Sequence, residues 1–505
     1  MPASTPPTLR PSGRAGHHAV EGGLAVATAV GVMSACGVTA TLALGAQDSV
    51  PLSRIVPALV SMAVGGRVSL ASGSAVGSGG GEAGALGGSS GGGLTLDIGG
   101  QVSALPLALT FVGTMILAVG FFRPLRRRGR PTPDQLWARC GGALAATLAL
   151  FTAAAVVAHG TVRVPKGLAQ GMGAGAGGSG AGVGGMPGGG LTSVIFRADV
   201  VSTVLFAVLW VVLVVGIGCL AARRTTLPRP LALSRIRLKW HPVTSALAGI
   251  FTALCCFPLA LGALAGGAAL IGPPQVAKAA GALLLAGPNL VAVALTSGLG
   301  SSWQAVLQQQ GAGSGMTGAL GAESGSAFGA GADAAGGVGA LLGGSGTDRS
   351  LAVGDWSGAG LPFWLISLVT LLFLLTFAGY LIAARTPARS AREEADALLG
   401  RHMELALRTG CAVAASAVLL CLVVQASVRV GMSAMGSEMG GMTAELGSSV
   451  RLSGLTGFVL AALCAYGGSR LQTLRSARRA LARPAAHPVK RTAKPAGRAV
   501  THRAP

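Results

Sequence analysis

Charge is what this chain has least of. Of 505 residues only 11% are Asp, Glu, Lys or Arg, and the acidic ones number 16. That is too few to solvate the several soluble domains the length would allow. No carboxylate falls inside the core of a clearly apolar block, where proton- and cation-coupled pumps place theirs; such a pump is disfavoured. The eight cysteines, Cys36, Cys140, Cys219, Cys255, Cys256, Cys411, Cys421 and Cys464, form no CxxC pair. They read as small buried apolar side chains, neither a disulfide framework nor a metal site. There is no GxxxxGK[ST] loop, HExxH or Cys/His cluster. GxGxxG matches abound, but glycine content alone produces them. The expectation is a protein that is not an enzyme and has no cofactor or metal.

What is present is apolar and glycine-rich: 51% hydrophobic residues, 82 glycines and a mean hydropathy of +0.64. Apolar residues come in blocks of roughly 18–25, long enough to cross a hydrocarbon core of about 30 Å. Clear blocks lie near 22–46, 104–122, 141–159, 199–221, 244–267, 361–384, 409–430 and 452–469. Two weaker runs, near 55–66 and 279–299, contain Pro57 and Pro288. The predicted fold class is therefore an all-α integral membrane protein with about eight transmembrane helices plus two Pro-broken, non-crossing (re-entrant) segments. Ten spans result if both cross. Arg10, Arg14, His17 and His18 precede a long first block without an A-x-A site, which reads as an uncleaved first helix.

Connections between blocks alternate in kind. Basic ones carry Arg123 to Arg130, Arg223 to Lys239, and Arg385 to Arg401; a basic tail follows Arg470. Gly-rich ones fall near 71–100, 167–190, 310–345 and 431–447. The positive-inside rule places basic connections and both termini in the cytoplasm of a multi-pass plasma-membrane protein. The Gly-rich ones are then external, and their composition predicts flexible loops. This assignment closes only if neither weak run changes sides. The net charge of +22 is a topology signal and an attraction to the anionic lipids of the bilayer, not a nucleic-acid footprint.

The order of parts occurs twice, predicting a tandem internal repeat. A basic N-terminus spans 1–21, repeat 1 spans 22–240, repeat 2 spans 244–469, and a basic tail spans 470–505. Leu105-Pro106 matches Leu361-Pro362, and TVRV (161–164) matches SVRV (427–430). PALVSMA from Pro57 matches PNLVAVA from Pro288.

Broken apolar runs at matching positions of two halves mark the binding site of many transporters. Pro57, Pro288 and Asn289 are thus the candidate solute site, with Asn289 supplying a side-chain donor and acceptor. Met432, Met435, Met439 and Met442 would share a helix face and could hold a soft cation; glycines weaken that helix, and packing is favoured. Asp199 reads as surface charge beside Arg197, His159 as a helix-end group, and Trp240, Trp303, Trp356 and Trp364 as interfacial anchors.

AVGGRVSL (63–70), AHGTVRVP (158–165), FRADV (196–200), GPNLVAVALTSGLGSSW (287–303) and MGSEMGGMTAEL (435–446) together resemble the actinobacterial "streptophobe" family, polytopic membrane proteins known from Streptomyces. The resemblance covers nearly the whole chain apart from the tail. It implies a membrane location and an actinobacterial source, and no catalytic or binding residues. Two functions remain: envelope-associated interaction or scaffolding with an unknown protein partner, or a transporter or channel with its site between the broken runs.

Overall fold

A computed structural model describes residues 12–48, 50–72, 96–127, 131–163, 193–222, 228, 234–269, 274–311, 349–352, 357–358, 361–386, 400–434 and 437–482. Ten α-helices occur among them: α1 Ser12–Leu44, α2 Leu52–Ala63, α3 Leu107–Arg127, α4 Pro133–Val157, α5 Val200–Ala221, α6 Arg235–Ala269, α7 Pro274–Gly298, α8 Phe363–Arg385, α9 Arg401–Val424 and α10 Val450–Ala482. All but α2 are long and apolar enough to cross a membrane, nine among the described residues. This is a multi-pass helical membrane protein. Its outward faces are apolar, as a lipid solvent requires: Val201, Phe257, Leu264 and Phe373 are each more than 70% exposed.

The sequence reading differs at α7, which continues as a helix through Pro288 over 25 residues, about 37 Å. Its position explains how so long a helix follows the end of α6 and still leads into the strand after it. Gly281 lies on Ala40, Ala43 and Leu44, in the last turns of α1. Asn289 bonds to the start of α3, and Gly298 lies on Ser367 in the first turns of α8. Beside α6 it runs antiparallel, with Gly266 on Ala280, Gly262 on Leu284 and Gly287 on Pro258. Most of these neighbours lie in the end turns of their helices nearest the strands; Pro258 lies deeper, as α6 runs on to Ala269. Both ends of α7 are therefore on the strand side of the bundle. The short α2 lies there too: Arg54 donates to Val157 O at the end of α4, and Ala63 O accepts from Thr110 in the first turn of α3.

The connections that contain the Gly-rich tracts hold, in their described ends, the largest departure from expectation. They contribute strands β1 Val68–Ser72, β2 Leu96–Ser103, β3 His159–Arg163, β4 Ser193–Ala198, β5 Trp303–Gly311, β6 Arg349–Ala352, β9 Ala426–Ala434 and β10 Ser437–Ser448. These form one antiparallel eight-stranded sheet in the order β3-β4-β1-β2-β9-β10-β5-β6. A small pair, β7 Ser357–Gly358 and β8 Leu361–Pro362, stands apart. The 431–447 segment, expected as a flexible loop, is mostly a hairpin, with Met442 opposite Val430 and Leu446 opposite Ala426. Strands on either side of β9 and β10 saturate their backbone groups, and that offsets the entropy glycine loses on ordering. Met432 lies in β9, and Met439 and Met442 lie in β10, so no helix face gathers them; Met435 is outside the described residues. The 167–190 tract and the tail beyond 482 also lie outside them.

The halves of the sheet follow one pattern. β1 follows α2 as β5 follows α7, and β3 follows α4 as β9 follows α9. Within each half the strand order is the same, and β2 of the first half pairs with β9 of the second over eight residue pairs, from Leu96 with Ala434 to Ser103 with Ser427.

The turns into β1 and β5 are also alike. After α2, Gly65 N donates to Met62 O and Gly66 N to Ser61 O, both at 2.9 Å. After α7, Gly300 N donates to Ser297 O at 2.9 Å and Ser301 N to Thr296 O at 3.1 Å. Gly65 and Gly300 take φ of 103° and 80°, the left-handed region that ends helices at little cost only for glycine. Matching these turns puts Ala292 opposite Pro57. Pro288 falls one helical turn earlier, so the prolines paired by local sequence are not counterparts in the structure. The turn fixes the helix register against the strand; proline position does not.

Candidate functional site

The three candidate solute-site residues are not brought together. Pro57 is half-buried in α2, which packs on α1, α4 and α3, whereas Pro288 is buried in α7, which packs on α6, α1, α8 and α3. Asn289 is engaged structurally. Its Nδ2 donates to Leu105 O and its Oδ1 accepts from Leu107 N, both at 2.9 Å. Leu107 is the first residue of α3, so its N–H is one of the four that a helix start leaves unpaired. Asn289 caps α3 from another helix. Around it Leu107, Ala292, Trp303 and Val424 form an apolar cluster drawn from α3, α7, β5 and α9. The cap and the cluster join the halves beside the β2–β9 pairing and the contact of α7 with α1.

The cavity beside α7 is elsewhere. It has a volume of about 400 Å³ between α6 and α7 and is lined by Leu261, Ala265, Gln275, Val276, Ala279, Ala280 and Leu283. Such an open, almost wholly apolar cleft suits an acyl chain and offers a polar solute little beyond Gln275. Among the described residues no cluster of three or more His, Cys, Asp or Glu side chains could hold a metal.

Two polar sites escaped the sequence reading. α1 starts at Ser12, which brings Glu21 inside the helix. The Glu21 carboxylate meets Arg139 Nη1 at 3.2 Å, His17 Nε2 at 3.2 Å and His18 Nδ1 at 3.5 Å. Arg139 is 1% exposed; it also donates to Gly120 O and lies over the Phe121 ring. The sequence carried only a weak signal: Glu21 and Arg139 each stand just before an apolar block, with opposite charge, but those blocks are far apart in the chain. The second site is the far end of the bundle, where Arg237 of α6 donates to Cys219 O and Ala222 O at the end of α5. Arg401 of α9 likewise donates to Ala383 O and Thr386 O at the end of α8. Cations there also complement the helix dipole.

Other expectations shift. Asp199 caps α5, accepting from Val201 N and Ser202 N at 3.2 Å. Its carboxyl is held below the usual carboxylate range, first by the hydrogen bond from the Ser202 side chain, then against burial by the backbone N–H groups and Arg67. Trp303 is core, 2% exposed, with Nε1 donating to Thr296 Oγ1 at 2.9 Å. His159 begins β3, and Arg54 Nη1 lies 2.9 Å from its Nε2.

Compared with known proteins, the chain matches no family model, no curated protein and no solved structure.

Proposed function

We propose that this protein is a plasma-membrane scaffold that presents its eight-stranded sheet on the external, envelope side as a docking layer for another protein. The observation that carries this reading is the sheet itself: four separate connections between helices converge on one layer shared by both halves. A layer built that way is costly for a chain whose helices alone satisfy the bilayer. In this reading the chain arose by tandem duplication, crosses eight times with α2 and α7 remaining on the sheet side, and keeps both termini and its basic ends cytoplasmic against anionic lipid. Matching turns and the doubled strand order support the duplication. The resemblance to the streptophobe family is carried by the sequence segments alone; within the described residues they lie in the sheet or in the helices that lead into it.

The test is photo-crosslinking from exposed sheet positions Gln101 and Gln304 in native membranes, compared with a probe at Phe373 on the lipid-facing side. A protein captured from both sheet positions and not from Phe373 is expected. Capture of lipid alone at all three would sink the scaffold reading.

A further inference from the structure

Most of the chain's basic residues fall in the connections and the tail away from the strands. Arg54, Arg67 and Arg197 break that pattern together, and all are exposed. Arg197 of β4 stands directly opposite His159, the first residue of β3, so their side chains leave the same face of the sheet. Arg54 of α2 lies against the His159 ring, with Nη1 2.9 Å from Nε2 and 3.3 Å from Val157 O. The ring is held in turn by Nδ1, 2.8 Å from Val156 O; a carbonyl only accepts, so Nδ1 carries the proton. Arg67 continues the group, its carbonyl accepting from Asp199 N. Among the described residues no carboxylate forms an ion pair with Arg54 or Arg197. The nearby Asp199 is engaged by the first N–H groups of α5. Cations gathered in this way repel one another. The second half builds the same strand order without them. The matching turns set Asn289 opposite Arg54, the TVRV and SVRV segments set Gln425 opposite His159, and the starts of α5 and α10 set Gly447 opposite Arg197.

We infer that Arg54 and Arg197 hold the phosphate of an anionic phospholipid in the leaflet on the strand side. Their level is that of a lipid headgroup. His159 follows the last turn of α4, and Arg197 precedes the first turn of α5. The valines of those turns face lipid: Val156, Val157 and Val201 are 57%, 43% and 75% exposed. An apolar wall that ends in guanidinium groups is the complement of an acyl chain that ends in a phosphate. Guanidinium N–H groups bind phosphate oxygens in pairs, and more strongly than neutral donors do. Arg54 uses Nη1 within the protein, and its Nη2 and Nε have no hydrogen-bond partner among the described residues. The side chain of Arg197 has none there either. The excess of cations over carboxylates selects a net negative headgroup over a zwitterionic one. The inference requires only that the helices cross a membrane, and it is independent of a protein docking on the sheet.

The probe is phosphatidylglycerol with a photoactivatable group on one acyl chain, added to the full-length protein in detergent. Peptide mass spectrometry then locates the labelled residues. Label is expected in the last turn of α4 and the first turns of α5. Unlabelled phosphatidylglycerol should displace it, whereas phosphatidylcholine and inorganic phosphate should not. Arg197→Gln should weaken the lipid about tenfold, the worth of one charge-assisted bond. Arg54→Gln added to it should abolish the label, and Arg197→Lys should recover part of the single loss. Arg429→Gln, on the same face of the sheet but three strands away, should change nothing. Because the Arg197 side chain has no partner within the described protein, Arg197→Gln should fold as the wild type does, which size exclusion checks. Undiminished label in folded Arg197→Gln protein, or no label at those turns in the wild type, would overturn the site. So would equal displacement by phosphatidylcholine, which would show that the headgroup charge is not read. Displacement by inorganic phosphate, at an ionic strength matched with chloride, would assign the arginines to a free anion and overturn the lipid.

Discussion

The side-chain amide of Asn289 and the carbonyl oxygen of Leu105 are joined by a hydrogen bond of 2.9 Å. With the return bond from Leu107 N to the same side chain, it fixes a helix of the second half to a helix start of the first. Asn289→Ala removes both bonds and leaves two part-buried backbone groups without this partner, at about 1–3 kcal/mol each if water does not replace it. Asn289→Asp keeps an acceptor for Leu107 N and loses the donor, so its loss is smaller. Thermal aggregation midpoints in detergent should fall in the order wild type, Asn289→Asp, Asn289→Ala. Equal midpoints for all three would show that the cap is not needed.

Adjacent glycines in α4 should behave in opposite ways. A Cβ at Gly142 would collide with the carbonyl of Ala19, and one at Gly22 with the carbonyl of Arg139, so α1 and α4 touch backbone to backbone. Nothing lies within 4 Å of a Cβ at Gly141. Gly142→Ala should sharply reduce the yield of folded protein on size exclusion. Gly141→Ala should leave yield intact and gain up to about 1 kcal/mol of helix stability. Equal tolerance at both positions would deny the close approach.

Arg139 is buried and its partner Glu21 is partly exposed, and breaking such a pair costs more than lacking it. Glu21→Leu alone takes the carboxylate from a buried Arg139, a loss approaching the roughly 3–5 kcal/mol of a fully buried pair. Glu21→Leu combined with Arg139→Met should recover much of that loss in the same midpoint assay. Additive losses in the double variant would mean that the pair is not coupled.

The sequence made the helices legible because apolar blocks of spanning length have few other uses. It also indicated that 55–66 and 279–299 were unlike the rest. The sheet was hidden for a physical reason. Strands such as Leu96–Ser103 and Ser437–Ser448 alternate weakly and are full of glycine, and each has one partner far off in sequence, Ala426–Ala434 for the first and Trp303–Gly311 for the second. Local composition then reads as loop. Asn289 was legible as an oddity inside an apolar run, but its role was not. Whether a buried amide binds a solute or caps a neighbour depends on what the fold places 2.9 Å away. Glu21 was lost because the first apolar block was drawn from residue 22, whereas α1 begins at Ser12.

The central claim is that the strands lie on one side of the membrane and that α7 does not carry the chain across it. Single cysteines at Gln275, before the body of α7, and at Gln304, just after it, test this in an otherwise cysteine-free chain. Arg475→Cys serves as the opposite-side reference. A membrane-impermeant thiol reagent applied to intact cells should label both Gln275→Cys and Gln304→Cys, and label Arg475→Cys only after permeabilisation. If Gln275→Cys and Gln304→Cys respond oppositely, α7 crosses and the account is wrong.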